Sequence, residues 1–135
     1  MNALKLNALP AHILIVDDEV DNRELLQIVL NWEGFVTRTA AGGEEALRSA
    51  AAEPPDLILV DLMMPDIDGY QLTASLKQNP KTKTIPVIML SAMTDSATRL
   101  RALSTGADAY ISKPFDRSEL CEQVRSVLNH KLAGE

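Results

Sequence analysis

The feature that most constrains this chain is a set of short apolar runs, each followed by a longer stretch of helical period. Residues 13–16, 57–60 and 87–90 are apolar at every position. A strand with one wet face alternates apolar with polar, so a strand with no polar position must be covered on both faces. That is the condition of a central strand in a parallel sheet flanked by helices. Residues 35–39 alternate and residues 109–112 are short and mixed, which suits the less buried edges. Five strand–helix units can be counted from residue 12 onward. They predict a doubly wound α/β fold, a (βα)5 sandwich whose parallel strands run in the order 2-1-3-4-5 with helices on both faces. In that topology ligands bind beyond the carboxyl ends of the strands, where the strand order reverses.

Two helical faces stand out. Leu25, Ile28, Val29 and Trp32 share one, and Leu120, Val124, Val127 and Leu128 share another; both are expected to be core faces. Asp116 with Glu119 predicts the cap of the last helix, and Asp95-Ser96 that of the fourth. Gly34, Gly69 and Gly106 fall where helices start or end. With 135 residues there is room for one core, so residues 11–131 are read as a single domain between a loose tail at 1–10 and a short tail at 132–135.

Charge narrows the partners. Nineteen acidic against thirteen basic residues give a net charge of −6. This is the wrong sign for direct contact with nucleic acid or an anionic membrane surface. A single cysteine, Cys121, allows no internal disulfide, and no Cys/His cluster has zinc-ligand spacing. No run reaches the ~18 apolar residues of a membrane span, and no signal peptide is read at the start. The expectation is a cytoplasmic protein.

The chemistry is expected at the strand ends. Asp17-Asp18 follow the first strand, Asp61 the third, Ser91 the fourth and Lys113 the fifth. Parallel strands lie about 4.8 Å apart, so these groups converge on one edge. Each has an ordinary explanation alone: a helix cap for the Asp pair or the serine, a turn for Asp61 or for Lys113-Pro114. Their joint occurrence at four strand ends does not. Three carboxylates this close repel one another unless a cation intervenes. With only oxygen ligands on offer, the ion would be hard and divalent, such as Mg2+. The lysine and the ion together balance the carboxylates, and the site can then accept an anionic phosphoryl group.

On these residues the chain resembles the receiver domains of two-component response regulators, chemotaxis-regulator-like single receivers with a flavodoxin-like sandwich. The matching segments are 13–19, 43–47, 55–69, 86–92 and 106–115, and the resemblance covers residues 12 to about 130. It implies that Asp61 is the phosphoacceptor. It further implies that Asp18 and the Met63 backbone carbonyl join Asp61 on Mg2+, that Asp17 contacts the ion through water, and that Lys113 and Ser91 grip the phosphoryl oxygens. Tyr110 is then the switch aromatic, turning inward on activation as Ser91 moves, and the peptide before Pro114 is cis. Met63 and Met93, two positions beyond the phosphoacceptor and the serine, would flank the phosphoryl group and tune its lifetime. Many DNA-binding members carry an acidic residue where this chain has Ala109, so a receiver dimer of that kind is not expected, and the chain reads as a monomer or weak dimer.

The expected function is therefore a phosphorylation-operated switch rather than an enzyme with a separate substrate. It would take a phosphoryl group from a histidine kinase or histidine phosphotransfer protein and act on a downstream protein through the fourth helix, fifth strand and fifth helix. A Mg2+-dependent aspartyl phosphohydrolase would need an Asp-x-Asp pair, but residue 63 is Met. A flavodoxin-like electron carrier would not place an acidic loop where a flavin phosphate binds.

Overall fold

The computed structural model describes residues 10–134, so residues 1–9 of the expected N-terminal tail lie outside the described residues. The elements run β1 (His12–Val16), α1 (Val20–Trp32), β2 (Val36–Ala40), α2 (Gly43–Ala52), β3 (Leu57–Asp61), α3 (Gly69–Gln78), β4 (Val87–Ser91), α4 (Ser96–Ser104), β5 (Ala109–Ser112) and α5 (Arg117–Gly134). All five strands are parallel, in the order β2-β1-β3-β4-β5. The expected fold class is the one observed. Helix α5 continues to Gly134, so residues 132–134 extend the last helix instead of forming the separate tail expected from 132.

The two-residue period of each strand sorts the core onto the two faces of the sheet. Ile13, Ile15, Leu57, Leu59, Ile88 and Leu90 point to the side covered by Leu26 and Leu30 of α1 and by Leu120 and Val124 of α5. Leu14, Val16, Ile58, Val60 and Val87 point to the other side, against Ala46 and Ala50 of α2 and Leu72 and Leu76 of α3. β3 and β4 are buried throughout, as their uninterrupted apolar runs require. The edge strand β2 keeps only Ala40 fully buried.

The face expected of α1 needs correction. Leu25, Ile28 and Trp32 are 60, 66 and 76% exposed, whereas Leu26 and Leu30 are buried and Val29 only partly so. Apolar residues crowd this helix on more than one stripe, and periodicity alone does not choose between them. The β1–α1 connection chooses: the Asp17 carboxylate accepts from the Glu19 N–H at 2.9 Å, and the Arg23 guanidinium donates to the Asp17 carbonyl at 2.8 Å. These bonds set the rotation of the helix and leave Leu25, Ile28 and Trp32 facing outward. Of the face expected of α5, Leu120 and Val124 are buried and Val127 and Leu128 partly so, with Cys121 added to it. Asp95 and Asp116 cap α4 and α5 through the Thr98 and Glu119 N–H groups, at 2.9 and 2.7 Å. Among the described residues no helix is long and apolar enough to cross a membrane.

Candidate functional site

Register carries the strand-end residues to one edge. Val16 pairs with Val60, so the next residues along, Asp17 and Asp61, lie side by side at the carboxyl ends of β1 and β3. Ser91 pairs with Ser112, and the Lys113 N–H donates to the Ser91 carbonyl at 2.7 Å, which brings the lysine over the same edge. Asp17 is 1% exposed and anchored by its own N–H to the Ala40 carbonyl of β2, at 3.2 Å. Asp18, one residue on, is exposed.

Asp17, Asp18 and Asp61 each offer a carboxylate oxygen within 4.8 Å of the others. The Lys113 ammonium lies 3.2 Å from Asp61 Oδ1 and 3.9 Å from Asp17 Oδ2. Only the first is a hydrogen bond. Asp17 Oδ2 is buried with no hydrogen-bond partner among the described residues. Leaving a buried acceptor unpaired is unfavourable, and more so when it is charged. Burial pushes the Asp61 carboxyl above its usual range; the charges of Asp17 and Asp18 push the same way, while Lys113 opposes them. An orphaned carboxylate oxygen beside a second carboxylate that resists ionisation, with no Cys or His among them, fits a hard divalent cation such as Mg2+.

Ser91 is buried, and its hydroxyl accepts from the Met93 N–H at 3.1 Å. Tyr110 is 6% exposed, and its hydroxyl donates to the Met93 carbonyl at 2.6 Å. The aromatic expected to turn inward on activation already lies inward here. Met63 and Met93 are 65 and 45% exposed, so neither is packed into the core. The Lys113–Pro114 peptide is cis. Beside the cluster opens a groove of about 470 Å3, bordered by Leu25, Val29, Phe115 and Leu120 and reaching Asp17 and Lys113 themselves.

Two residues at the site's margins escape a reading confined to strand ends. Arg23 holds the Asp17 carbonyl from one turn into α1. Asp66 accepts from the Gly43 and Glu44 N–H groups at the start of α2, at 3.2 and 3.3 Å. The signal for Asp66 was present: α2 opens on Gly42-Gly43, with no residue of its own to cap it.

A doubly wound sheet that gathers three carboxylates, a lysine and a buried hydroxyl where its strand order reverses defines an α/β domain with an acidic, cation-accepting cleft. Residues 13–125 match the response regulator receiver domain family, and the chain belongs to it. It is 45% identical over 116 residues to a probable transcriptional regulator ycf27 of Cyanophora paradoxa, covering 86% of this chain and 47% of that protein. It is 40% identical over 122 residues to the response regulator PleD of Caulobacter vibrioides, covering 90% of this chain and 27% of that one. The chain thus spans half or less of the length of these curated relatives. Among solved structures, a putative response regulator of Chloroflexus aurantiacus superposes with a TM-score of 0.86 at 40% identity, over 90% of this chain and 99% of that one. The receiver domain of sensor histidine kinase PA1611 of Pseudomonas aeruginosa, which has a magnesium ion coordinated in its active-site cleft, gives 0.83 at 30% identity over 90% and 99%.

Proposed function

We propose that Asp61 accepts a phosphoryl group from a phosphohistidine of a histidine kinase or histidine phosphotransfer protein, and that the change is read by a downstream protein. The observation that carries this reading is the Asp61 carboxylate, 3.2 Å from the Lys113 ammonium and within 4.8 Å of two further carboxylates. An Asp61 oxygen bonds to phosphorus as the phosphorus–nitrogen bond to the donor imidazole breaks, giving an acyl phosphate and a free imidazole. Lys113, already paired with Asp61, then follows the new phosphoryl oxygens, and the Ser91 hydroxyl can donate to one of them. Asp18, Asp61 and the Met63 carbonyl would hold Mg2+, with Asp17 reaching it through water. When bound, the ion supplies positive charge against the phosphoryl oxygens.

A protein donor is supported by the groove that runs from Leu25 and Phe115 to Asp17 and Lys113, and by the exposed Leu25, Ile28 and Trp32 on α1. The output surface is that of α4, β5 and α5, where Leu100 and Leu103 of α4 are exposed. Because Tyr110 already lies inward, phosphorylation acts on this conformer by making the inward state more populated, as the Ser91 hydroxyl donates to a phosphoryl oxygen. The absence of an acidic residue at Ala109 favours a monomer or weak dimer. The proposal is tested with a small phosphoramidate or acetyl phosphate donor and Mg2+. Wild type should gain one base-labile phosphoryl group and Asp61→Asn none; labelling of Asp61→Asn to the wild-type extent would refute it.

A further inference from the structure

The loop between β3 and α3, residues 62–68, is tethered on two sides. Toward α3, the Asp68 carboxylate accepts from the Gln71 N–H at 2.8 Å and the Gln71 side chain returns to the Asp68 N–H at 3.1 Å. The Gly69 N–H closes the turn on the Leu62 carbonyl at 2.9 Å. Toward α2, Asp66 takes the Gly43 and Glu44 N–H groups, one on each carboxylate oxygen. Helix α2 has Gly42 at its N-cap and no side-chain cap of its own. Asp66 therefore supplies, from 23 residues away, the acceptor that a serine or aspartate ordinarily supplies locally.

The contact is built by leaving atoms out. A Cβ on Gly42 would stand 2.9 Å from Asp66 Oδ2, and one on Gly43 would stand 2.7 Å from the Ile67 Cβ. Gly42 has φ −168°, an extended backbone open to any residue, so close approach and not conformation demands the glycine. The backbone N–H of Ile67, with those of Gly43 and Glu44, holds the Asp66 carboxyl below its usual range, as an engaged carboxylate should be.

The same loop carries Met63, three residues before Asp66 and two after Asp61. We propose that Asp66 is a positioning residue for the phosphoacceptor site: its cap on α2 fixes the loop that presents the Met63 backbone carbonyl beside Asp61. The inference rests on the proposed role of that carbonyl in holding Mg2+. Groups behind the direct ligands set metal affinity by holding those ligands in place. Coupling of this kind is reciprocal, so a cation that draws on the loop must also tighten the cap.

The test uses the full chain and Mg2+ alone, followed by NMR titration and amide hydrogen exchange. Asp66→Ala should weaken Mg2+ binding by about tenfold. Asp66→Asn, which loses the same charge but keeps an acceptor oxygen, should recover most of that affinity. Gly43→Ala, which drives a Cβ against Ile67, should weaken binding with the whole carboxylate set intact. Arg38→Ala frees the far end of α2 from β2 by breaking bonds of 2.9 and 3.0 Å to Ser49, and should leave the affinity unchanged. In wild type, Mg2+ should slow exchange of the Gly43 and Glu44 amides. Wild-type affinity in Asp66→Ala overturns the inference, whatever Gly43→Ala does. So does an Asp66→Asn as weak as Asp66→Ala, which would make the effect one of charge alone. A wild type that binds no Mg2+ and takes no label contradicts the proposed function itself, whereas normal binding and labelling in Asp66→Ala contradicts only the role of Asp66.

Discussion

The two ends of the sheet use the same residue type in opposite ways. At the amino end, Asp56 accepts from the His12 N–H at 2.7 Å and Asp108 from the Val87 N–H at 2.8 Å, each carboxylate starting a strand. Lys77 ties this end together, bonding Asp108 at 3.3 Å and the Ile85 carbonyl at 2.9 Å. At the carboxyl end, three aspartates crowd together, and among the described residues one oxygen of Asp17 has no hydrogen-bond partner and the Asp61 carboxylate has only Lys113. One end spends its carboxylates on satisfying the backbone. The other concentrates them where they repel, which is the arrangement the proposed Mg2+ and phosphoryl site requires. Departures from local self-consistency gather where function lies, and the crowded carboxylates of this edge are such a departure.

The comparison can be broken from either end. The largest stability effect is expected at the amino end: Asp108→Ala strands the Val87 N–H at the start of a fully buried strand, at a cost of about 1–3 kcal/mol. Denaturant unfolding of the variant measures it, and a neutral result would mean that the pairing at this end contributes nothing. Next comes the lifetime of the phosphoryl group. Met63 and Met93, each two positions beyond Asp61 or Ser91, are exposed and cannot orient a water by hydrogen bonding. Met63→Asn with Met93→Glu should speed self-dephosphorylation by about tenfold, a barrier change of about 1.4 kcal/mol. Phosphoryl half-lives with Mg2+ and no kinase read this out, and equal half-lives would remove the methionines from the account.

The smallest effect is that of an isolated cap. The Thr98 hydroxyl, together with the Thr98 N–H, holds the Asp95 carboxyl below its usual range. Its folded value lies under the unfolded one, so the stability it gives is present above about pH 4 and is lost as pH falls through the folded value. Asp95→Ala should flatten that part of the stability profile and change little at neutral pH beyond the loss of the cap.

Much of this was legible in the sequence because it rests on patterns a single segment carries. The all-apolar runs at 57–60 and 87–90 could only be central strands, and the polar residues that end them had to share an edge once the strand order was in hand. What was not legible depends on bonds between segments. The phase of α1 is set by Arg23 and Asp17, and two overlapping apolar stripes gave periodicity no means of choosing between them. The cap of α2 comes from a different loop, so its only local trace is the missing capping residue before Gly43. The inward Tyr110 depends on the Met93 carbonyl that receives its hydroxyl, 17 residues away in the chain.

The central claim, that the carboxyl-end cluster is held at a cost to the fold, is tested most directly by the stability of Asp61→Asn without divalent cations. The Asp61 carboxyl is raised by burial and by Asp17 and Asp18, so its folded value lies above the unfolded one, and its ionised form at neutral pH works against folding. Unfolding at pH 7 in the presence of a chelator should find Asp61→Asn more stable than wild type. That advantage should shrink as pH falls through the raised folded value and be gone below about 4, where the wild-type carboxyl is protonated in both states. An Asp61→Asn variant less stable than wild type at pH 7 would contradict the account.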